Sequence, residues 1–243
     1  MAAGTPTILA TSIGFDSRGR DRNDVDAGPV FDLAAELSGA AGTPRVCYLG
    51  TATGDDAARI AGTYSALAGR FRPSHLELFS MPNVDDVRGH LLAQDVIWVG
   101  GGSVVNLLAL WRVHGWDVLL HEAWQAGVVL GGVSAGSICW HLGGTTDSFG
   151  PQLRPVTDAL GWLPYANGVH YDSEPQRRPL FQQLIADRVL PAGYATDDGA
   201  GLVYRGTELV EAVADRSDAF AYRVSRAADG RAEEEVIEPR RLR

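Results

Sequence analysis

The sequence is poor in cysteine and has no long apolar run, and both shortages exclude classes of protein. Its 243 residues include two cysteines, Cys47 and Cys139. Two thiols cannot build a disulfide framework or a four-cysteine metal site. No apolar run approaches the roughly 20 residues of a membrane-spanning helix, and the first residues lack the basic region of a secretory signal. We therefore expect a protein of the reducing cytoplasm with no membrane partner.

Basic residues are also scarce. The chain has 30 acidic against 21 basic residues, a formal net charge of −9. Because binding nucleic-acid phosphates requires a basic face, this charge argues against a nucleic-acid partner. The short basic run Arg240–Arg243 is expected to be a solvated tail. No group of side chains has the spacing of metal ligands, so we predict neither a metal nor a cofactor.

The hydrophobic residues, 45% of the chain, lie in short runs that alternate with amphipathic stretches. The predicted strands are Thr7–Ile13, Arg45–Leu49, Leu76–Phe79, Asp95–Val99 and Val128–Gly131. The predicted helices are Pro29–Leu37, Asp55–Arg70, Val84–Ala93, Val104–Val113 and Trp116–Ala126. Strands that alternate with helices favour a parallel sheet covered on both faces. We predict an α/β fold, a three-layer sandwich, in one domain over residues 1–243.

Two other segments depart from this alternation. Gly14–Gly28 is polar and rich in glycine, aspartate and arginine, which is typical of a loop. Near the C-terminus, three short runs are separated by turn residues and predict an antiparallel extension of the same sheet. These runs are Gly201–Tyr204, Glu208–Val213 and Ala219–Val224.

The segment Gly132-Val133-Ser134-Ala135-Gly136 matches G-x-S-x-G, the nucleophile elbow, and follows a predicted strand. The turn from strand to helix is sharp, so a side chain at either glycine would crowd it. Such a turn lifts the serine hydroxyl above the sheet edge. Ser134 is therefore the candidate nucleophile, and the Ala135 amide is a candidate donor to an oxyanion. We expect the following helix to run from Ala135 to about Leu142.

A second glycine-rich segment, Gly100-Gly101-Gly102-Ser103, directly follows a strand. A dinucleotide loop would need glycine where Val105 stands, and a P-loop would need a Gly-Lys ending. The better interpretation is the other half of an oxyanion hole, formed by the amide of Gly101 or Gly102.

A serine nucleophile needs a general base and an acid that orients it. Of the six histidines, His170 stands at the end of a predicted short strand, where sites of α/β sheets are built. His141 is expected two turns along the elbow helix, too far to reach the hydroxyl. The candidate acids are Asp147, in the loop after that helix, and Asp172 and Glu174, just past His170. Spacing alone does not choose among them.

Together these motifs resemble the peptidase E and cyanophycinase family of serine peptidases. The resemblance rests on the Gly-Gly-Gly loop, the G-x-S-A-G-S elbow, a Thr-Thr-Asp loop, and a histidine 36 residues after the serine. It extends to H-Y-D-x-E-x-x-R-R-P, which begins at His170, and it covers the chain from Asp95 to about Gly201.

The resemblance implies a flavodoxin-like sheet similar to that of class I glutamine amidotransferases. It implies Ser134 as nucleophile, His170 as base and Asp147 as the acid, although amidotransferases place their acid two residues after the histidine. Enzymes of the peptidase E type cleave dipeptides with an N-terminal aspartate, and an arginine after the histidine binds its carboxylate. This implies that Arg177 and Arg178 bind substrate.

The predicted activity is hydrolysis of short peptides through an acyl-enzyme. Three alternatives remain open at this point. They are cleavage of β-aspartyl linkages as in cyanophycinase, an esterase of the α/β-hydrolase type, and a binding module that keeps the elbow without catalysis. The sequence also leaves the oligomeric state open between a monomer and a homodimer.

Overall fold

The structure is a computed structural model that describes residues 4–17 and 25–243. Its helices are α1 (Pro29–Ser38), α2 (Ala57–Leu67), α3 (Val87–Leu92), α4 (Val104–His114), α5 (Trp116–Gln125), α6 (Ala135–Ile138) and α7 (Arg177–Ala186). Its strands are β1 (Thr7–Thr11), β2 (Phe15–Ser17), β3 (Val25–Ala27), β4 (Arg45–Leu49), β5 (Arg72–Leu76), β6 (Val96–Val99), β7 (Val129–Val133), β8 (His141–Thr146), β9 (Arg154–Val156), β10 (Leu163–Gly168), β11 (Gly193–Thr196), β12 (Ala200–Arg205), β13 (Glu208–Ala214), β14 (Ala221–Arg226), β15 (Ala232–Ile237) and β16 (Arg240–Arg241).

A large sheet with strand order β16-β13-β12-β1-β7-β6-β4-β5 forms the centre of the fold. Strands β1, β7, β6, β4 and β5 are mutually parallel, whereas β12 and β13 are antiparallel additions. Side chains of β1 alternate between the two faces. Ile8 packs with α4 and α5, and Leu9 packs with α1 and α2. The predicted α/β sandwich with a mostly parallel sheet is confirmed.

A smaller sheet, with order β15-β14-β11-β10-β8-β9, lies beside the large one. One cluster of buried residues includes Leu202 of the large sheet and Leu163 and Ala221 of the smaller one. The prediction that Ala219–Val224 extends the same sheet as the two preceding runs is wrong, because the observed strand β14 pairs with β11. A strand with alternating apolar residues fits either sheet, so the pattern did not distinguish them. The single-domain organisation stays a prediction.

The predicted elbow helix is much shorter than expected. It ends at Ile138, and His141 begins β8 with its side chain fully buried. Glycine and β-branched threonine disfavour a helix in the sequence Gly143-Gly144-Thr145-Thr146. The glycines also let β8 lie close to its neighbours, since a Cβ on Gly144 would overlap the Asn167 carbonyl oxygen.

Smaller differences affect the margins. The strand predicted at Leu76–Phe79 ends at Leu76 instead. The predicted loop Gly14–Gly28 contains the β2–β3 hairpin, although residues 18–24 of that loop lie outside the described residues. Arg240 and Arg241 pair with β13, so this part of the basic run is not a free tail. Within the described ranges, no helix has both the length and the apolar character needed to cross a membrane.

Candidate active site

Ser134 stands on a sharp turn between β7 and α6, as the elbow motif predicts. Its φ of 58° lies in the left-handed region that side chains rarely adopt. A Cβ on Gly136 would overlap the Val99 carbonyl oxygen, and one on Gly132 would lie 2.8 Å from the same atom. Both glycines are therefore required by contacts with the end of β6, and the strained turn is held in place by its surroundings.

Three backbone N–H groups near Ser134 are available to a ligand. The N–H of Gly100 donates to Leu49 and that of Ser103 to Ala52. Within residues 4–17 and 25–243, the N–H groups of Gly101, Gly102 and Ala135 have no such acceptor.

Gly101 is the glycine that lies against the serine. A Cβ built on Gly101 would be 3.2 Å from the Ser134 Cβ. Gly102 has a φ of 137°, and a Cβ there would overlap the Ala52 carbonyl oxygen. Of the two predicted glycines, Gly101 is thus the better placed to act together with Ala135.

His170 follows β10 and makes a close contact with an acid that the sequence analysis missed. Its Nδ1 donates to Asp198 Oδ1 at 2.5 Å. Because Nδ1 carries the proton in this bond, Nε2 is the nitrogen left to accept one. The hydrogen bond from His170 lowers the pKa of the Asp198 carboxyl, against the opposing effect of its partial burial.

The end of β1 brings Ser134 and His170 to the same edge of the large sheet. The Ser134 N–H donates to the Thr11 carbonyl at 3.0 Å. The His170 N–H donates to Ser12 Oγ at 3.1 Å. Because Thr11 and Ser12 are consecutive, two neighbouring residues hold the backbones of the serine and the histidine.

Asp147 was predicted to orient His170, but the structure gives this contact to Asp198. The Asp147 side chain is 60% exposed and lies 3.9 Å from Arg177 Nη2. This difference from the prediction follows from the short elbow helix. Strand β8 begins soon after that helix and places Asp147 at the end of a strand of the smaller sheet. The two alternative acids also have other partners. Asp172 Oδ1 accepts the N–H of Asp198 at 2.8 Å, and Glu174 accepts from Arg177 Nε at 2.8 Å.

The predicted substrate-binding arginines have structural partners instead. The Arg177 side chain is only 3% exposed, and its Nη1 donates to the Thr145 carbonyl at 2.6 Å. This guanidinium joins α7 to the end of β8. Arg178 pairs with Glu234 and lies over the rings of Tyr171 and Tyr222. Because α7 begins at Arg177, both side chains turn into the smaller sheet rather than toward Ser134.

A cavity of about 330 Å³ opens beside Ser134 and Gly101. Its walls combine aromatic and apolar side chains with polar groups, and they include one guanidinium. Among the described residues, Arg59 is the only charged side chain that lines it, and no ion pair there includes Arg59. The remaining lining residues are Gly14, Phe15, Val25, Tyr48, Thr63, Trp98, Gly100 and Val133.

Sequence reasoning missed both Asp198 and Arg59. Asp198 follows a short strand in Asp197-Asp198-Gly199, the same kind of strand end that singled out His170, so this signal could have found it. Arg59 lies in the first turn of α2, a segment that reads only as an alanine-rich helix. Within the described residues, no group of histidine, cysteine and acidic side chains could hold a metal ion.

Comparison with known proteins identifies the family. A family model described as peptidase family S51 matches residues 20–212. The uncharacterized peptidase YgaJ of Bacillus subtilis (strain 168) is 46% identical over 185 residues, 76% of this chain and 79% of that protein. Peptidase E of Shewanella denitrificans is 29% identical over 143 residues, 55% of this chain and 60% of that protein.

The fold also has a relative among solved structures. The crystal structure of a peptidase from an acI-B1 Actinobacterium matches with a TM-score of 0.65 at 17% identity. That match covers 97% of this chain and 98% of the other. At this identity the likeness concerns the fold alone. The family model and the Bacillus relative each cover most of the chain, so this chain is a peptidase and belongs to peptidase family S51.

Proposed function

We propose that the protein is a serine peptidase that hydrolyses short peptides through Ser134, His170 and Asp198. The observation that carries the proposal is the 2.5 Å contact between His170 Nδ1 and Asp198 Oδ1, at the sheet edge where β1 also holds the elbow serine. This is the relation of base to acid in a catalytic triad.

The reaction follows from the groups available. His170 Nε2 takes the proton of the Ser134 hydroxyl as Oγ attacks the substrate carbonyl carbon. The N–H groups of Ala135 and Gly101 donate to the oxyanion that forms. The C–N bond then breaks, and His170 gives its proton to the leaving amine. Water, deprotonated by His170, attacks the carbonyl carbon of the acyl-enzyme. The ester C–O bond then breaks, His170 returns the proton to Ser134 Oγ, and the acid leaves.

The order of strands supports binding of the acyl part of the substrate in the cavity. Ser134 follows β7. The cavity residues Tyr48 and Trp98 belong to β4 and β6, on one side of β7 in the sheet. His170 is held by the end of β1, on the other side. Because the leaving amine must receive its proton from His170, the leaving group lies on the His170 side and the acyl group enters the cavity.

Arg59 supports an acidic residue at that position. In the part of the chain that the structure describes, no ion pair includes Arg59, and an unpaired guanidinium in a cavity favours a ligand that brings a carboxylate. The Tyr48 hydroxyl lies against Gly100 at the same wall and offers a second donor. We therefore propose a peptide with an N-terminal aspartate, bound through Arg59 rather than through Arg177 or Arg178. A β-linked aspartate presents its α-carboxylate instead, and the experiment below separates the two linkages.

The test is hydrolysis of α-Asp-Leu, β-Asp-Leu, Asn-Leu and Ala-Leu by the wild type and by two variants. We expect Ser134→Ala to lower kcat by at least about 10³-fold on the preferred substrate. We expect Arg59→Gln to lower kcat/KM on the acidic substrate by about 10- to 100-fold, the cost of one hydrogen-bonded charge. Its activity on Asn-Leu should stay within about threefold of the wild type, because that side chain has no charge to lose.

Matched controls are Ser80→Ala, at an exposed loop position, and Arg72→Gln, at the exposed start of β5 and thus at the opposite end of the parallel strands. Both should behave as the wild type. If folded wild-type protein cleaves none of the four substrates, the short-peptide proposal fails, and activity on short esters would favour an esterase. If the wild type and the variants bind the peptides but none of them hydrolyses any peptide, the protein is a binding module.

A further inference from the structure

Asp172 contacts the loop that carries Asp198. It stands two residues after His170, and its Oδ1 accepts a hydrogen bond from the backbone N–H of Asp198 at 2.8 Å. The Asp198 side chain in turn accepts from His170. The His170 turn and the Asp198 loop are therefore joined through the imidazole and also through the Asp172 carboxylate.

The loop that carries Asp198 needs external support because it connects the two sheets. Strand β11 ends at Thr196 in the smaller sheet, and β12 begins at Ala200 in the large one. No strand ladder satisfies the backbone between them, so each N–H must find another acceptor.

The neighbours of Asp198 are fixed by partners on either side. Asp197 donates its N–H to the Phe220 carbonyl, and its Oδ2 accepts from the Tyr222 hydroxyl. Gly199 donates its N–H to the Ser12 carbonyl at 3.2 Å. The N–H of Asp198 itself is donated to the Asp172 side chain.

The charged groups around Asp172 do not form a simple ion pair with its carboxylate. Asp197 and Asp198 both lie near it. Burial raises the pKa of the Asp197 carboxyl, and the negative charge of Asp172 raises it further. Arg216 faces the same group, but its hydrogen-bonded partner is Asp218. A carboxylate that lies among other carboxylates is destabilised by like-charge repulsion. A hydrogen bond from an N–H offsets that repulsion.

We propose that Asp172 is a positioning residue, which holds the Asp198 carboxylate against His170 by accepting the Asp198 N–H. This inference rests on the proposed triad. It also assigns a role to the position at which amidotransferases carry their acid. Here the carboxylate acts through the backbone of the acid rather than on the imidazole. What Asp172 supplies is an acceptor oxygen in a fixed place, and an amide oxygen can supply the same.

The experiment compares Asp172→Asn with Asp172→Ala on the peptide that the wild type cleaves best. Asparagine keeps the acceptor at Oδ1, so kcat is expected within about threefold of the wild type. Alanine removes it, and a misplaced acid is expected to lower kcat by about 10- to 100-fold with KM little changed. Asp198→Asn should lower kcat by about 10³- to 10⁴-fold, the loss typical of a triad acid. Asp147→Ala is the matched surface control and should leave kcat unchanged.

A second readout separates positioning from a general loss of structure. That readout is exchange of the Asp198 amide hydrogen, because this N–H is the donor to Asp172 Oδ1. Exchange of the Asp198 amide hydrogen should be faster in the alanine variant alone.

Several outcomes would overturn the proposal. One is an Asp172→Asn variant as impaired as Asp198→Asn, which would make the charge of Asp172 essential and Asp172 itself the acid. Another is an Asp172→Ala variant with wild-type kcat and unchanged exchange of the Asp198 amide hydrogen. If the alanine variant does not fold, the asparagine variant alone decides, because it must retain activity. A full-activity Ser134→Ala enzyme would instead refute the proposed function.

Discussion

His141 gives the structure a calculable sensitivity to acid. The imidazole is fully buried, Nδ1 donates to the Ser137 carbonyl at 2.9 Å, and Nε2 is left to accept from the Tyr204 hydroxyl at 3.3 Å. Protonation would place a second N–H where an acceptor is needed, in a site that is shielded from solvent. Burial therefore lowers the pKa of His141 from 6.5 to about 4.

The sign and size of the effect follow from linkage. A histidine whose pKa is depressed in the folded state contributes its full stability above pH 6.5. That contribution is lost as the pH falls toward 4, because the unfolded chain then binds the proton and the folded chain does not. With these two pKa values, the loss relative to pH 7 is about 2 kcal/mol at pH 5 and about 3 kcal/mol at pH 4.

The measurement is urea unfolding of the wild type and of His141→Gln, followed by tryptophan fluorescence between pH 7 and pH 4. Glutamine keeps a donor and an acceptor but does not titrate. The difference between the two unfolding free energies therefore cancels the contributions of every other group. We expect the wild type to lose about 2 kcal/mol relative to the variant between pH 7 and pH 5. Two curves that stay parallel within about 0.5 kcal/mol over this range would refute the reasoning.

Two further predictions concern the elbow and α7. Gly136→Ala is expected to cost about 1–3 kcal/mol of unfolding free energy and most of kcat, because its Cβ would overlap the backbone oxygen of Val99, which cannot rotate away. Urea unfolding and peptide hydrolysis check this, and an active variant of wild-type stability would contradict it. Arg177→Met is expected to cost about 2 kcal/mol, because it leaves the Thr145 carbonyl without its donor, yet to keep the wild-type preference for Asp-Leu over Asn-Leu. Loss of that preference would return Arg177 to the substrate site.

The parts of the site that the sequence predicts are those built from a few consecutive residues. The elbow is recognisable because the constraints on Gly132 and Gly136 both arise where one strand turns into one helix. The Gly-Gly-Gly segment is recognisable for the same reason. In each case the physical requirement, a close backbone approach, falls on residues that are adjacent in the chain.

The parts that could not be predicted depend on pairing between distant segments. Asp198 reaches His170 only because β11 joins the smaller sheet and β12 joins the large one. Neither run of residues has a pattern that indicates which sheet it joins. The direction of Arg177 depends on where α7 begins and on the carbonyl of Thr145 beneath it. A charged residue near a catalytic histidine has the same sequence signature whether it faces substrate or the protein interior.

The two sheets contribute different members of the proposed triad. Ser134 ends a strand of the large sheet, His170 follows a strand of the smaller one, and Asp198 lies on the connection between them. The distances among the reacting groups therefore measure how the two sheets are docked. Substitutions in the apolar layer between the sheets, for example at Leu163 or Leu202, would alter the docking of the sheets and therefore the geometry of the site as well. We therefore expect kcat to respond more sensitively to changes in the docking of the two sheets than the free energy of unfolding does.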